Sequence, residues 1–253
     1  MDRISRPMVD RTDNHLQLER LRLRDVYRQR SEAIDPNLYA PWQPGEMLML
    51  FERRRLASDM LVRRGKFPGR NSLCLEIGYG KLGWLGDLIT WGVKEESLFG
   101  IELDQDRGSV AMENLPAANL MIGDATSTPW EDGKFDLVIL STVLSSISSD
   151  SVWDALSAEV ERVLSPSGAV LIYDVAVRNP RNKNLRPVTS ATLKSLFPGY
   201  RTTSRSLTLA PPVARFVARR SWTLASILSA LPFARTHRLT MLTRRPTLVN
   251  LES

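Results

Sequence analysis

Leu75-Glu76-Ile77-Gly78-Tyr79-Gly80-Lys81-Leu82-Gly83 sets a short apolar run directly against glycines, and a helical pattern over 82–91 follows. Gly78 and Gly80 permit a tight turn and let the backbone approach a ligand with no Cβ in the way. The same unit serves NAD, FAD and S-adenosylmethionine, and it also occurs as a plain structural turn, so on its own it selects none of them. Working outward, short apolar runs at 97–102, 119–122, 135–140 and 169–173 alternate with helical patterns at 105–115 and 150–164. In the second of these helices Val152, Leu156, Val160 and Val163 recur at helical spacing. Ser165-Pro166-Ser167-Gly168 reads as a turn. Strands and helices alternating in this way predict an α/β, doubly wound, mostly parallel sheet with helices on both faces. Ligands of such sheets sit outside the carboxyl ends of the strands.

The flanks carry less regular patterns. Residues 15–32 form a basic helix with a modest apolar stripe, closed by Asp35-Pro36, and a loop with Tyr39, Trp42 and Pro44-Gly45 follows. A second helix over 46–64 leads into the core. Beyond Asp174 come a polar loop over 178–187, a short helix over 189–196, a strand over 203–210, a helical segment over 212–231 and a last strand over 239–244. The expected organisation is an N-terminal helical arm and loop over 1–45 and a Rossmann-like domain over 46–253. A helical lid, about 211–235, is expected between the last two strands.

With 43% hydrophobic and 25% charged residues, the 253-residue chain has a globular composition with room for one main core. Arginines interrupt every apolar run that could approach a membrane span, and the N-terminus has no signal-peptide pattern, so a cytoplasmic location is expected. One cysteine and two histidines exclude an internal disulfide and argue against a protein-only metal site. The net charge of +6 is unevenly spread: between Val175 and Leu251 there is no Asp or Glu, while Lys and Arg occur 14 times. An electropositive third on a mildly acidic body implies an anionic partner, or else a solvated face that aids solubility. Phosphate-bearing molecules and the anionic inner face of a membrane both qualify as such a partner. Nucleic acid is disfavoured, because no aromatic-interleaved basic motif accompanies the charge.

Acidic residues follow the first three strands. Glu102 ends the second run, where a carboxylate accepts from the ribose hydroxyls of an adenosine; Asp104 is the alternative. In Gly123-Asp124-Ala125 the carboxylate can accept from an adenine amino group while the next N–H meets the ring. Glu76 places negative charge where a sulfonium cofactor carries its ammonium and where a pyrophosphate would be repelled.

In motif order, LEIGYGKLG, GIELD, GDAT, FDLVILSTVL and LSPSGAVLIYD, the segment from Ser72 to Tyr173 resembles the class I S-adenosylmethionine-dependent methyltransferases. The resemblance implies a seven-stranded sheet whose last strand is antiparallel, and S-adenosylmethionine as cofactor. It implies that Glu76, Gly78, Tyr79 and Gly80 line the methionine moiety and that Glu102 and Leu103 take the ribose. Asp124 and Ala125 would take the adenine, with Ser141 closing the pocket. One departure stands out: the usual third glycine is Leu82, with Gly83 one place later, which keeps a nicotinamide reading open. Over 39–245 the chain also looks similar to bacterial members associated with sugar and cell-envelope polysaccharide modification. The shared features are a P-G before an E-R helix, and N-P-R-N, L-A-P-P and R-T-H segments.

The acceptor is read from what the turn after the fourth strand lacks. Leu140-Ser141-Thr142-Val143 has neither the prolines nor the aromatic of members that methylate amino groups, and Cys74 lies inside a strand rather than where a nucleophile would act. A hydroxyl acceptor is therefore expected, first a sugar hydroxyl on a glycan or a phosphate-bearing or lipid-linked glycan intermediate. O- or C-methylation of a quinone or natural-product phenol is the alternative, and an RNA-binding or RNA-modifying role the distant third. Asp174 and His237 are the candidate bases. Tyr39 and Trp42 would stack on the acceptor or cover the cofactor. Arg178, Arg181 and Lys183, with Arg215, Arg219 and Arg220 of the lid, would bind a diphosphate, while Phe216, Trp222, Ile227 and Leu228 would contact a lipid chain or membrane. The sequence sets no oligomeric state.

Overall fold

The computed structural model describes residues 11–33, 35–178, 182 and 184–245 of the chain. Seven strands form one sheet in the order β3-β2-β1-β4-β5-β7-β6. They are β1 (Cys74–Ile77), β2 (Leu98–Glu102), β3 (Asn119–Ile122), β4 (Phe135–Ser141), β5 (Leu164–Val175), β6 (Tyr200–Leu209) and β7 (Arg235–Arg244). The first five are parallel, and β7 inserts antiparallel between β5 and β6. This is the expected Rossmann-like architecture, and the crossover between β3 and β4 places the strand-order reversal beside β1, where such sheets open a crevice.

Helices cover both faces because the central strands are apolar on both. Along β4, Val138 and Leu140 face one core with Leu75, Ile77, Val170 and Ile172. The alternate residues Leu137 and Ile139 face the other with Cys74, Leu171 and Met241. Helices α5 (Asp150–Val163) and α6 (Ser190–Leu196) close the first core through Leu156, Val160 and Leu193. The second is closed by α2 (Pro44–Arg63), α3 (Leu85–Thr90) and α4 (Gln105–Asn114) through Leu61, Leu88 and Ala111. Asp104 caps α4, its Oδ1 accepting from the Arg107 N–H at 3.0 Å.

One expected turn is absorbed into a strand. Residues 165–168 lie within β5, whose register with β4 shifts between Phe135↔Leu164 and Leu137↔Ala169. The extra residues are taken up as a bulge, which keeps the strand continuous despite its Pro and Gly.

The arm is α1 (Arg11–Ala33), anchored on the loop after β4. Burial alone would raise the Glu19 carboxyl, but bonds from Arg22 and from the Ser148 N–H and hydroxyl hold it below the usual range. Arg22 also donates to the Ser146 carbonyl. Between β6 and β7 stand α7 (Pro211–Ala218) and α8 (Trp222–Ala230), packed on α2 and β6 through small residues. Ala214, Ala218 and Ala225 meet Leu48 and Met49. A Cβ on Gly45 would lie 2.6 Å from the Arg215 Cα, so only glycine lets α7 come this close.

Candidate functional site

A cavity of about 1290 Å³ opens at the carboxyl ends of β1, β2 and β4 and extends under the arm and the lid. One half of it is built on the glycine turn. Gly78, Gly80 and Gly83 all have positive φ, which only glycine adopts without strain. Two of them also lack room for a side chain, since a Cβ would fall 2.7 Å from Val143 at Gly78 and 2.3 Å from Glu76 at Gly83, while at Gly80 it would meet only the movable guanidinium tip of Arg107 at 2.7 Å. The displaced third glycine is thus explained, since position 83, not 82, passes over the Glu76 carboxylate.

Glu76 is fully buried, and its Oε2 accepts from the N–H groups of Trp84 and Leu85 at 2.7 and 3.0 Å. Among the described residues its Oε1 is buried without a partner. Burial pushes the carboxyl up to about 8, against the opposing pull of those N–H groups and Arg53. Near neutral pH it holds a proton, and a cation brought to Oε1 would return it to the carboxylate. A sulfonium amino acid supplies that cation; a dinucleotide pyrophosphate does not.

Glu102, also buried, ties the second strand to the turn: Oε2 accepts from the Gly80 N–H at 2.8 Å and Oε1 from the Asp104 N–H at 3.0 Å. Each oxygen keeps a lone pair for a ribose hydroxyl. Asp124 accepts from the Thr126 N–H and hydroxyl at 2.9 and 2.8 Å and is paired with Arg20 of the arm. Leu103, Ala125 and Ser141 line the same half. Tyr79 lines it too, but its ring is buried in the core and its hydroxyl donates to the Met121 carbonyl, so its side chain serves packing.

Two sequence expectations need correction at the acceptor end. Asp174 is buried and does not line the cavity; Oδ2 accepts from the Ser145 N–H at 3.1 Å and Oδ1 from the Val175 N–H at 2.8 Å. Burial raises it to about 6, yet it works as a clamp on the loop after β4 rather than as a base. Alternation along β5 is the reason, since Tyr173 and Val175 face the cavity and the residue between them faces away. Likewise Arg219 and Arg220 do not line the cavity; Arg220 folds over the Phe216 ring at 3.9 Å. Arg178 and Arg215 do line it, Arg215 paired with Glu46 at 2.7 Å and set over the Tyr39 ring. Arg181 and Lys183 lie outside the described residues.

His237 lines the other half of the cavity, stacked on Tyr173 with centroids 5.0 Å apart, and its Nδ1 is 2.9 Å from the Thr236 hydroxyl. Burial lowers it to about 4, so the ring is neutral at physiological pH. Tyr39 and Trp42 stand at the mouth, Trp42 being 66% exposed. Around them the wall is mostly apolar, with Met49, Leu50, Val177, Leu185, Pro211 and Pro212.

Sequence reading missed several residues here. The Tyr173 hydroxyl is 2.8 Å from that of Thr208, whose N–H donates to Glu52 at 2.8 Å. Thr208 is buried with φ +66, an uncommon and strained conformation for a β-branched residue. Arg53 lies over Trp84 at 4.3 Å and faces buried Asp87. The available signal was Glu52-Arg53-Arg54-Arg55, four charges crowded into a helix that otherwise feeds the core. Among the described residues no His/Cys/Asp/Glu group could hold a metal ion.

Residues 75–172 match a family described as "Methyltransferase domain". A sterol 4-C-methyltransferase from Caenorhabditis elegans is 27% identical over 120 residues, 45% of this chain and 34% of that protein. The chain spans about a third of the length of the curated relatives it matches. In structure it is similar to geranyl diphosphate C-methyltransferase from Streptomyces coelicolor A3(2), which was solved with Mg2+, geranyl diphosphate and S-adenosyl-L-homocysteine. The TM-score is 0.58 at 12% identity, over 83% of this chain and 86% of that one. A SAM-dependent methyltransferase from Archaeoglobus fulgidus is similar over 77% of this chain and 98% of its own, with TM-score 0.53 at 17% identity.

Proposed function

We propose that this chain, whose residues 75–172 match a methyltransferase-domain family, is a class I S-adenosylmethionine-dependent methyltransferase that transfers the methyl group to a hydroxyl of an acceptor with a large apolar body. The observation that carries the reading is the joining of two unlike halves in one cavity. One half has acidic groups at three strand ends, with a buried, unpartnered carboxylate oxygen; the other has a mostly apolar wall and a neutral histidine.

S-adenosylmethionine supplies a methyl group activated by its sulfonium charge. The residues present fit it: Glu76 would hold the ammonium through Oε1, Glu102 the ribose and Asp124 the adenine. The remaining work of the chain is alignment and proton removal. His237 would accept a hydrogen bond from the acceptor hydroxyl and so orient its lone pair. As that oxygen gains the methyl group its proton becomes strongly acidic, so a weak base suffices. The Glu52-Thr208-Tyr173 chain holds the ring against which His237 is stacked. Glu19, Arg20 and Leu23 of the arm and Pro211, Pro212 and Arg215 of the lid complete the cavity wall.

A hydroxyl on a lipid-linked glycan intermediate fits the apolar wall, with Arg178 at the cavity to receive a phosphate. The matched relatives named for sterol and geranyl diphosphate acceptors also favour an apolar body. A quinone or natural-product phenol is the second reading, favoured by the flat Tyr173-His237 stack. Labelled-methyl transfer to lipid-linked glycan, nucleotide-sugar and quinone acceptors tests this. Label appearing only on water-soluble nucleotide sugars would reject an apolar-bodied acceptor.

A further inference from the structure

We propose that the outer face of the lid is a docking surface for an anionic lipid bilayer, from which the acceptor enters the cavity. Val213, Phe216, Trp222, Leu224, Ile227 and Phe233 are 41–85% exposed. On α7, Val213 and Phe216 share a face by their i,i+3 spacing; on α8, Leu224 and Ile227 do the same. The opposite positions Ala214, Ala218 and Ala225 are buried, with Val217 and Leu228 partly buried beside them, so Leu228 packs inward rather than toward a lipid as expected, while the six large apolar residues named face out. A patch of this kind marks an interaction site.

Charge selects the occupant. The lid carries Arg215, Arg219, Arg220 and Arg235 with no Asp or Glu, inside a stretch of the chain free of acidic residues. Exposed aromatic rings beside exposed arginines fit a headgroup layer, where the rings enter the acyl boundary and the guanidinium groups meet phosphate. A second copy of the chain would present the same cationic surface and be repelled. The lid's inner residues Pro211, Pro212 and Arg215 line the cavity mouth with Tyr39 and Trp42, so a docked lid would bring that mouth to the bilayer. Among the described residues no helix is long and apolar enough to cross a membrane, so the contact is peripheral.

This inference rests on the reading of an apolar-bodied acceptor, and its test separates the two. The full chain is sedimented with phosphatidylcholine vesicles, with and without phosphatidylglycerol, and compared with Arg219→Gln/Arg220→Gln and Phe216→Ser/Phe233→Ser. None of these four residues lines the cavity, so S-adenosylmethionine titration confirms that each variant is folded and keeps its cofactor site. Binding to the anionic vesicles only, weakened about thirtyfold by removal of the two charges and at least tenfold by loss of the two rings, is expected. Equal sedimentation of parent and variants, or equal binding to neutral vesicles, overturns the docking surface whatever the acceptor screen shows. Arginine-dependent binding to RNA with no binding to vesicles overturns it as well.

Discussion

Replacing Gly83 by alanine probes the link between the glycine turn and the buried carboxylate. The new Cβ would stand 2.3 Å from Glu76 Oε1 and 2.6 Å from Oε2, on a residue with φ +53. Left-handed geometry costs an alanine about 1–2 kcal/mol. Pushing Glu76 aside also lengthens the bonds from Trp84 and Leu85, at about 1 kcal/mol each. The total expected destabilisation is about 3–4 kcal/mol. Gly65 supplies a matched control, since its φ is +61 and nothing lies within 4 Å of its Cβ position. Gly65→Ala should therefore show only the backbone cost of about 1–2 kcal/mol and leave the site intact. Urea unfolding measures both stabilities, and isothermal titration measures S-adenosylmethionine binding. Gly83→Ala should bind about thirtyfold more weakly, equivalent to about 2 kcal/mol for a displaced charge-assisted bond; Gly65→Ala should bind like the parent. If the two variants match in stability and in affinity, Gly83 does not shield Glu76 and the turn is not the ligand site.

Further outcomes follow from the titrating groups and the acceptor wall. The Glu76 carboxyl, raised from 4.5 to about 8 by burial, stabilises the cofactor-free fold below 4.5, and that contribution is lost as pH rises through 8. The melting temperature of Glu76→Gln should thus fall less than the parent's between those pH values, while its cofactor affinity loses the rise towards pH 8 that loss of the Glu76 proton gives the parent. Parallel curves in both assays would show that Glu76 does not titrate there. His237, lowered to about 4 by burial, contributes stability that is present above 6.5 and lost as pH falls through 4. His237→Gln should flatten that acid loss and reduce kcat 10²-fold or more; unchanged kcat in a transfer assay would leave His237 a packing residue. Asp174→Asn should cost about 1–3 kcal/mol of stability through its N–H partners, with kcat within tenfold of the parent and an unmoved pH profile. A kcat loss of 10³-fold at unchanged stability would restore Asp174 as the base.

The strands around β1 were legible because their signals are local: apolar runs, glycines and carboxylates at fixed offsets. Glu76, Glu102 and Asp124 follow directly from those offsets, since a parallel sheet brings its strand ends to one edge. Asp174 misled for the converse reason. Its position in sequence places it at a strand end, but which face it takes depends on register, and one residue of register turns a side chain away from the cavity. The bulge over 165–168 was hidden because Pro and Gly signal a turn equally well when the strand simply absorbs them. Thr208 and Glu52 gave no sign of each other, being 156 residues apart and joined only by packing of α2 on β6. The Arg20-Asp124 pair is of the same kind, a contact set by how the arm lies on the sheet.

A crystal structure of the full chain soaked with S-adenosylhomocysteine tests the central claim most directly. The expected result puts the ligand's amino group within hydrogen-bond distance of Glu76 Oε1 and its ribose hydroxyls on Glu102. A crevice that instead takes up a dinucleotide, or an S-adenosylhomocysteine bound away from these carboxylates, would contradict it.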